Sequence, residues 1–463
     1  MKHLSNFHYL VFLFCAELIF STRSQATHSA GVEVSYTHLS GSMYKLKVTF
    51  FRDCSGIAIL FPVTVNAHSD TCGIDVDYVM NPVAGTGNEI SHSCPTSQTR
   101  CTGGNNPGYQ KWEFEIDVSL AQCSDWTFTF SSCCRDGCTT VLPGTQMTVQ
   151  AHLDNSTYDN SSPQFLNDPE FMICSMQDFH FNHGAQDPDG DSLVYHFIDA
   201  IGATYVFPYS GQYPFESVPP ATFDSITGDF LAHPTSLACG VIAFEVLEFR
   251  NGQLIGSVIR EINVYTVACS NTIPTESGMN GTTQQVVYVL PDDTVCFDIF
   301  STDPDFGDTL TMSWDQSIPA ATFTTAGSPL PTGIFCWTPG MNDVRSQPYM
   351  FTSSIMDNNC PTMGINIYSF FIYVTLDSSL VFIDDSEPSS NSDLSIYPNP
   401  SDGIFETSTA EKIFEIKIFD QFGKCILSTK EEKVDLTSFV SGLYIAEVTT
   451  AGNRTLRKFI LKK

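Results

Sequence analysis

The chain has 463 residues, enough for about three or four domains with cores of their own. It carries 51 acidic against 21 basic side chains, and the imbalance lies in residues 27–393, where 41 Asp and Glu face 9 Lys and Arg. Such a surface repels phosphate backbones and anionic lipid, which argues against a nucleic-acid-binding protein.

The N-terminus has the pattern of an export signal. Lys2 precedes the apolar run 9–20, and the small residues Ser24 and Ala26 occupy the −3 and −1 positions of a cleavage site. This pattern predicts a signal peptide over residues 1–26. The run is too short for a transmembrane anchor, and Glu17 interrupts it. We therefore expect an exported protein that is extracellular or on the outer cell surface and is not integral to the membrane.

Fourteen of the 16 cysteines lie between Cys54 and Cys360. An even number in an oxidising compartment predicts disulfides, and the sequence leaves their pairing open. A thiolate metal site is the weaker alternative. The adjacent Cys133 and Cys134 are expected to bond elsewhere, because a bond between neighbours closes a strained ring. The disulfide candidates are Cys54, Cys72, Cys94, Cys101, Cys123, Cys133, Cys134, Cys138, Cys174, Cys239, Cys269, Cys296, Cys336 and Cys360.

Residues 27–155 alternate apolar and polar side chains, as in "YKLKVTFFRDC" and "KWEFEIDVSL", and almost nothing there has a helical period. Gly, Asn, Pro and Cys fill the segments between these runs. The pattern predicts short strands joined by loops, and hence a Cys-rich N-terminal β-domain.

An internal repeat follows. The segment "TGDFLAHP" at 227–234 matches "TGIFCWTP" at 332–339 as T-G-x-F-x-x-x-P, 105 residues later. An acidic turn precedes each copy and an aromatic-rich strand follows it. A period of this length, made of short alternating strands, predicts two tandem antiparallel β-sandwiches over 156–270 and 271–376. The fold class is therefore expected to be all-β.

The two acidic turns are candidate calcium sites. Carboxylates two residues apart, on a turn stiffened by proline, suit Ca²⁺, and they repel one another unless a cation or hydrogen bonds compensate. The alternative is an Asx turn whose side chains accept backbone N–H groups. Zinc at His180 and His183 is a weaker hypothesis, because residues three apart on a strand point to opposite faces. The candidate calcium ligands are Asp187, Asp189, Asp191, Asp303, Asp305 and Asp308.

Residues 377–393 are rich in Ser and Asp and contain a proline, which is typical of a flexible linker. After the linker, residues 394–463 contain about six or seven short strand-like runs, enough for a small sandwich of their own. This region has 10 Lys and Arg against 9 Asp and Glu, so the strong negative charge ends where it begins.

Four pieces of residues 394–463 carry a family resemblance: a Tyr-Pro-Asn-Pro turn, "IFDQFGK", "DLTSFVSGLYIAEV" and the basic end "RKFILKK". In this order they resemble the type A C-terminal sorting domain that Bacteroidota append to cargo of the type IX secretion system. The resemblance implies that the type IX translocon and its sortase are partners of this domain. The residues that carry the motif are Tyr397, Pro398, Asn399, Pro400, Gly403, Gly442 and Tyr444.

The body also resembles known proteins. Segments such as "YKLKVTFFRDCSG" and "FNHGAQDPDGDSLVYHF" are similar to those of large surface proteins of the same phylum with PKD-like, cadherin-like or Ig-like repeats. The resemblance implies Ig-like or cadherin-like sandwiches and a surface location. It implies no catalytic residue.

Two functional hypotheses remain. The first is a non-enzymatic, adhesin-like binding protein, with a surface polysaccharide or a host or matrix glycan or protein as partner and calcium as its expected cofactor. It is favoured because the signatures H-E-x-x-H, G-x-S-x-G and the phosphate-binding loop are missing from the sequence. The second is a secreted hydrolase, or a carbohydrate-binding accessory module of a polysaccharide-degrading system. A deep cleft holding two carboxylates about 5–10 Å apart would favour the hydrolase.

Overall fold

The computed structural model describes residues 29–377, apart from 60, 93, 95, 134, 136, 137, 361 and 362, and then 394–397, 401, 403–409, 412–420, 425–440, 442–450 and 455–462. They belong to two compact units that divide near residue 381, a body and a C-terminal unit. The predicted signal peptide and all but the first residue of the predicted linker lie outside the described residues. Within the described part of the chain, no helix is long and apolar enough to cross a membrane.

The all-β fold class is confirmed: the described body consists of strands and three single-turn 3-10 helices, at Arg100–Thr102, Met279–Gly281 and Met341–Asp343. The strands are β1 (Ser29–Ser40), β2 (Met43–Asp53), β3 (Val63–Ser69), β4 (Ile74–Pro82), β5 (Asn88–Glu89), β6 (Tyr109–Ser119), β7 (Trp126–Ser132), β8 (Met147–Leu153), β9 (Gln164–Phe165), β10 (Met172–Cys174), β11 (Phe179–Asn182), β12 (Ala185–Gln186), β13 (Ser192–Ile198), β14 (Thr222–Phe223), β15 (Asp229–Ala232), β16 (Ala238–Arg250), β17 (Gln253–Val267), β18 (Thr275–Glu276), β19 (Val286–Val289), β20 (Val295–Thr302), β21 (Thr311–Trp314), β22 (Thr322–Ala326), β23 (Thr332–Trp337), β24 (Tyr349–Met356) and β25 (Ile365–Val374).

One antiparallel sheet dominates the body and closes on itself. Its order is β1-β2-β6-β4-β3-β7-β8-β17, and β17 pairs with β1 as well as with β8. The strands β16 and β13 continue the sheet from β17. Since β17 comes from the second half of the body, backbone hydrogen bonds join the segments on either side of residue 155.

The strands β8 and β17 of this closed sheet differ in how many of their faces are buried. Along β8, Met147, Val149, Ala151 and Leu153 are buried and the residues between them are partly exposed, as expected for a strand with one face on a core. In contrast, β17 is buried over ten consecutive residues, 255–264. Both faces of β17 are therefore covered, so the polar side chains it carries must find partners inside the protein.

Two four-stranded sheets form the region 275–374, in the orders β18-β20-β23-β22 and β19-β25-β24-β21. Four phenylalanines, Phe297, Phe335, Phe351 and Phe370, stack in their shared core, with ring centroids 4.3–5.2 Å apart along the stack. Stacked rings add attraction beyond the area they bury. The two sheets with their shared core form a β-sandwich.

The C-terminal unit has two sheets around a small core that includes Phe405, Ile416 and Val448. Gly403 has a left-handed φ of 104°, and a Cβ there would lie 2.9 Å from the Lys462 side chain, so only glycine fits the turn. The strands are β26 (Leu394–Tyr397), β27 (Ile404–Thr409), β28 (Ile413–Asp420), β29 (Cys425–Thr429), β30 (Lys433–Asp435), β31 (Gly442–Thr450) and β32 (Thr455–Lys462).

Twelve of the candidate cysteines form six disulfides. Two of these disulfides cross the predicted domain boundaries, since Cys138–Cys239 joins the first region to the second and Cys94–Cys360 joins the first to the third. Cys133 is disulfide-bonded as well, and Cys134 lies outside the described residues. The other four pairs are Cys54–Cys101, Cys72–Cys123, Cys174–Cys269 and Cys296–Cys336.

Candidate metal centres

The first acidic turn joins β12 to β13 and is held by its own carboxylate. Asp187 Oδ1 accepts hydrogen bonds from the backbone N–H groups of Asp189 and Asp191, both at 2.9 Å. Gly190 has a φ of 81°, which the turn requires and glycine allows without strain. The turn is therefore an Asx turn in its backbone, and the second oxygen of Asp187 remains for another partner.

That second oxygen lies near a carboxylate that the sequence analysis missed. Glu248, on β16, joins the three aspartates, and one ligand oxygen from each of the four lies within 4.8 Å of the others. Glu248 is 0% exposed, and its Oε2 accepts a hydrogen bond of 2.8 Å from Asn160 Nδ2. Its Oε1 and the Oδ2 of Asp187 are both buried and have no hydrogen-bond partner.

Arg250 balances part of the negative charge. Its guanidinium binds both oxygens of Asp191, at 2.5–3.0 Å, and reaches Asp189 at 3.5 Å. It also donates to Asn160 Oδ1 at 2.9 Å. Asp191 is thus engaged by a permanent cation, whereas Asp187 and Glu248 are left facing each other without one.

The electrostatics of this pair follow from burial. Desolvation is the first cause that raises the pKa of Asp187, and the charge of neighbouring Asp191 adds to it. The pKa of Glu248 is raised much further, by desolvation and then by the charge of Asp187. Two buried carboxylates at this distance cannot both remain charged unless something positive lies between them. The pair can therefore share a proton or hold a cation.

The second acidic turn, between β20 and β21, is more open. Its Asp303, Asp305 and Asp308 also offer oxygens within 4.8 Å of one another. Asp305 accepts the backbone N–H of Thr272 at 2.6 Å, and one oxygen of Asp303 is buried without a partner. Burial is the first cause that raises the pKa of Asp303, followed by the neighbouring charges. Among the described residues, this second cluster contains no glutamate that corresponds to Glu248 of the first.

The two histidines lie apart from these turns. His183 is buried, and its Nδ1 accepts a hydrogen bond of 3.1 Å from Arg260. His180 Nε2 lies 3.5 Å from Asp229. Burial and the Arg260 charge lower the pKa of His183 well below its usual value, so it is a neutral acceptor in the core.

The best-formed concavities in the described part of the chain are small. One holds about 30 Å³ and is lined in part by Glu33, Lys47 and Lys111; the other holds about 10 Å³ beside His92 and Glu170. These volumes admit a water molecule or two, whereas small-molecule pockets usually measure about 300–1,000 Å³.

The motif residues of the C-terminal unit are partly described. Tyr397 is 79% exposed at the end of β26, and Tyr444 is buried with its hydroxyl donating to Val440 O at 2.6 Å. Gly403 and Gly442 lie at the starts of β27 and β31. Pro398, Asn399 and Pro400 lie outside the described residues.

Comparison with known protein families finds a match for one region of the chain. Residues 395–462 match the family described as the secretion system C-terminal sorting domain. No curated protein matches the chain.

Solved structures of immunoglobulin-domain proteins align at low identity. They include Dpr2 Ig1-Ig2 in complex with DIP-Theta Ig1-Ig3 (9% identity, 46% of this chain and 99% of that one, TM-score 0.20), Sidekick-1 immunoglobulin domains 1-4 (7%, 93% and 98%, 0.16) and the N-terminal four Ig domains of Dscam1 isoform 4.44 (11%, 94% and 99%, 0.16). At these TM-scores the likenesses carry no argument, and the fold assignment rests on the sheets described above.

Proposed function

We propose that the body is a non-enzymatic, adhesin-like binding module. Residues 395–462 are a secretion system C-terminal sorting domain, which marks the chain as type IX secretion cargo and as a secreted surface protein. The sorting domain would deliver it, with the type IX translocon and sortase as its export partners. The remaining body would act by contact, through loops at the edges of a rigid β-scaffold.

The observation that carries this proposal is the position of the converging carboxylates. A glycosidase needs two carboxylates that face a substrate across a cleft. In the first acidic turn Glu248 converges with the three aspartates, and it is 0% exposed, so no sugar reaches it. The acids of the second turn lie on a connection between strands, beside Thr272 and Asn359. This arrangement suits a binding scaffold better than a secreted hydrolase.

An array of glycans and matrix proteins tests the proposal. The purified, exported protein should be retained by at least one class of ligand, and incubation with the same glycans should release no new reducing ends. Release of reducing ends, abolished by substitution of a pair of carboxylates, would overturn the non-enzymatic proposal in favour of the hydrolase.

We further propose that the first acidic turn binds Ca²⁺ between Asp187 and Glu248. The support is the pair of buried oxygens without hydrogen-bond partners, one on each side chain, aimed into the same cluster. Asp189 would complete the anionic side, and carboxylate oxygens are the ligands that Ca²⁺ prefers. Asp191 contributes less, because Arg250 already engages both of its oxygens. The second turn, with Asp303, Asp305 and Asp308, is the weaker of the two candidate sites.

Thermal unfolding with Ca²⁺ and with a chelator tests the calcium site. At a Ca²⁺ concentration 100-fold above Kd, binding stabilises the folded protein by about 2.7 kcal/mol. Glu248→Gln should lose the part of the stabilisation that belongs to the first turn. Glu245→Gln, three residues earlier on the same strand and bonded to Ser257, should keep all of it. Equal stabilisation of wild type and Glu248→Gln would contradict the site, as would no effect of Ca²⁺ on wild type.

A further inference from the structure

A loop of the body carries one fully exposed aromatic side chain, close in the chain to two half-buried ones. We call residues 199–221, between β13 and β14, the aromatic loop. Phe207, at its tip, is 95% exposed. The half-buried rings of Tyr209 and Tyr213 lie nearly parallel, at 13°, with centroids 5.9 Å apart. The same loop also exposes Val206 and Val218, at 38% and 69%, and exposed apolar side chains that cluster often mark a contact site.

The aromatic loop is held in place along its length. A short antiparallel ladder joins it to the segment before β8: Leu142 N–H donates to Thr204 O at 2.8 Å and Val206 N–H donates to Thr140 O at 2.9 Å. Asp199 Oδ1 accepts the Gly211 N–H at 2.7 Å. Exposed aromatic side chains on a fixed backbone lose little conformational entropy when a ligand binds.

The base of the loop is anchored by apolar contacts and a disulfide. Phe215 is 0% exposed, and Tyr205 packs on a small cluster that contains Cys138 and Cys239, which are bonded to each other. Gly211 touches the strand so closely that a Cβ there would lie 2.0 Å from Ile198 O. The loop is thus a fixed part of the fold, and its tip is available for contact.

Polar groups flank the aromatic rings. Glu216 and Gln212 are exposed on the same loop, three residues after and one residue before Tyr213. Aromatic faces attract the polarised C–H groups of a sugar ring, and a nearby carboxylate accepts hydrogen bonds from its hydroxyls. The body's excess of acidic residues disfavours a polyanionic ligand.

We propose that the aromatic loop is a binding platform for an uncharged glycan, with Phe207 and Tyr209 stacking on sugar rings and Glu216 accepting hydroxyl hydrogen bonds. This inference rests on the proposed binding function and names the class of ligand and the residues that contact it. A protein partner is the other occupant to test, and a stable complex with one would need about 800 Å² of contact surface on this side.

The test is affinity electrophoresis of the full-length protein in gels that contain neutral polysaccharides (xylan, laminarin, mannan) or acidic ones (alginate, hyaluronan). At least one neutral polysaccharide should retard the wild-type protein. Phe207→Ala and Tyr209→Ala should each weaken that retardation at least tenfold. Phe306→Ala, which removes an equally exposed aromatic side chain from the second acidic turn, is the matched control and should bind as wild type does.

Each remaining outcome is decisive. Retardation by acidic polysaccharides alone, or equal losses in Phe207→Ala and Phe306→Ala, would overturn the platform, as would no retardation in any neutral gel. Binding only to a protein on the array described above would leave the proposed binding function standing and remove this inference. Unchanged melting temperatures of the variants would show that any lost retardation comes from the tip and not from misfolding.

Discussion

Replacing Arg260 with methionine should strongly destabilise the body, because this side chain joins three parts of it from a buried position. Arg260, on β17, is 1% exposed, and its Nε donates to Glu33 of β1 at 2.5 Å. Its Nη1 donates to Asn167 O and to His183 Nδ1, at 3.0 and 3.1 Å. The guanidinium carbon also lies 3.9 Å from the centre of the Phe165 ring.

The size of the effect follows from what the substitution leaves behind. Methionine fills most of the volume of Arg260 but leaves Glu33, which is 8% exposed, as a buried charge without a partner. Removing one member of a buried ion pair costs about 3–5 kcal/mol, and losing the cation–π contact adds up to about 2 kcal/mol. We therefore expect a loss of about 4–6 kcal/mol in the free energy of unfolding.

Denaturant unfolding at pH 7 with the disulfides intact measures this loss. The double variant Arg260→Met/Glu33→Gln should recover at least half of it, because the orphaned charge is gone. Lys45→Met breaks a pair with Glu115 whose side chains are 38% and 30% exposed, and it should cost less than about 1 kcal/mol. A loss below about 1 kcal/mol in Arg260→Met, or no recovery in the double variant, would refute the reasoning.

Three further results are expected. Burial raises the pKa of Glu276 to about 8, so its contribution to stability is complete below its ordinary pKa of 4.5 and is lost as the pH rises through 8. Glu276→Gln should remove this loss from thermal unfolding curves recorded across that range. The double variant Cys94→Ser/Cys360→Ser opens a loop of 266 residues, and two disulfides inside that loop shorten it by 101 and 40 residues, to about 125. A loop of this length predicts a loss of about 5 kcal/mol in the free energy of unfolding by denaturant, and a loss under about 1 kcal/mol would contradict the prediction. Deleting residues 394–463 should leave the body folded and retained in the periplasm, and its appearance at the cell surface in fractionation experiments would contradict the sorting role.

Local patterns in the sequence predicted much of the fold. Alternation of apolar and polar residues identified strands such as β8 and the all-β fold class. The Tyr-Pro-Asn-Pro turn and its companions identified the sorting domain, and the family match over residues 395–462 confirms it. These features depend on neighbours in the chain, which a sequence displays directly.

What the sequence did not predict depends on distant pairings. The role of β17 in closing the ring cannot be read from its own residues, although buried Arg260, Glu261 and Asn263 signal a strand covered on both faces. Glu248 joins the first acidic turn because β16 pairs with β13 in a register that sets it opposite Leu193. Glu248 is one of two glutamates, with Glu245, in an otherwise largely apolar strand, and only the register shows which of them faces the acidic turn.

The disulfides also determine how the body would carry a mechanical load. Tension between β1 and the end of β25 follows the shortest covalent path, which runs to Cys54, across to Cys101, back to Cys94, across to Cys360 and on to the last strand. That path contains about 50 residues and stretches to roughly 180 Å, against roughly 1,200 Å for the reduced chain. A surface protein built in this way would hold its ligand at short range under shear, and the segments between Cys101 and Cys360 would bear almost none of the force.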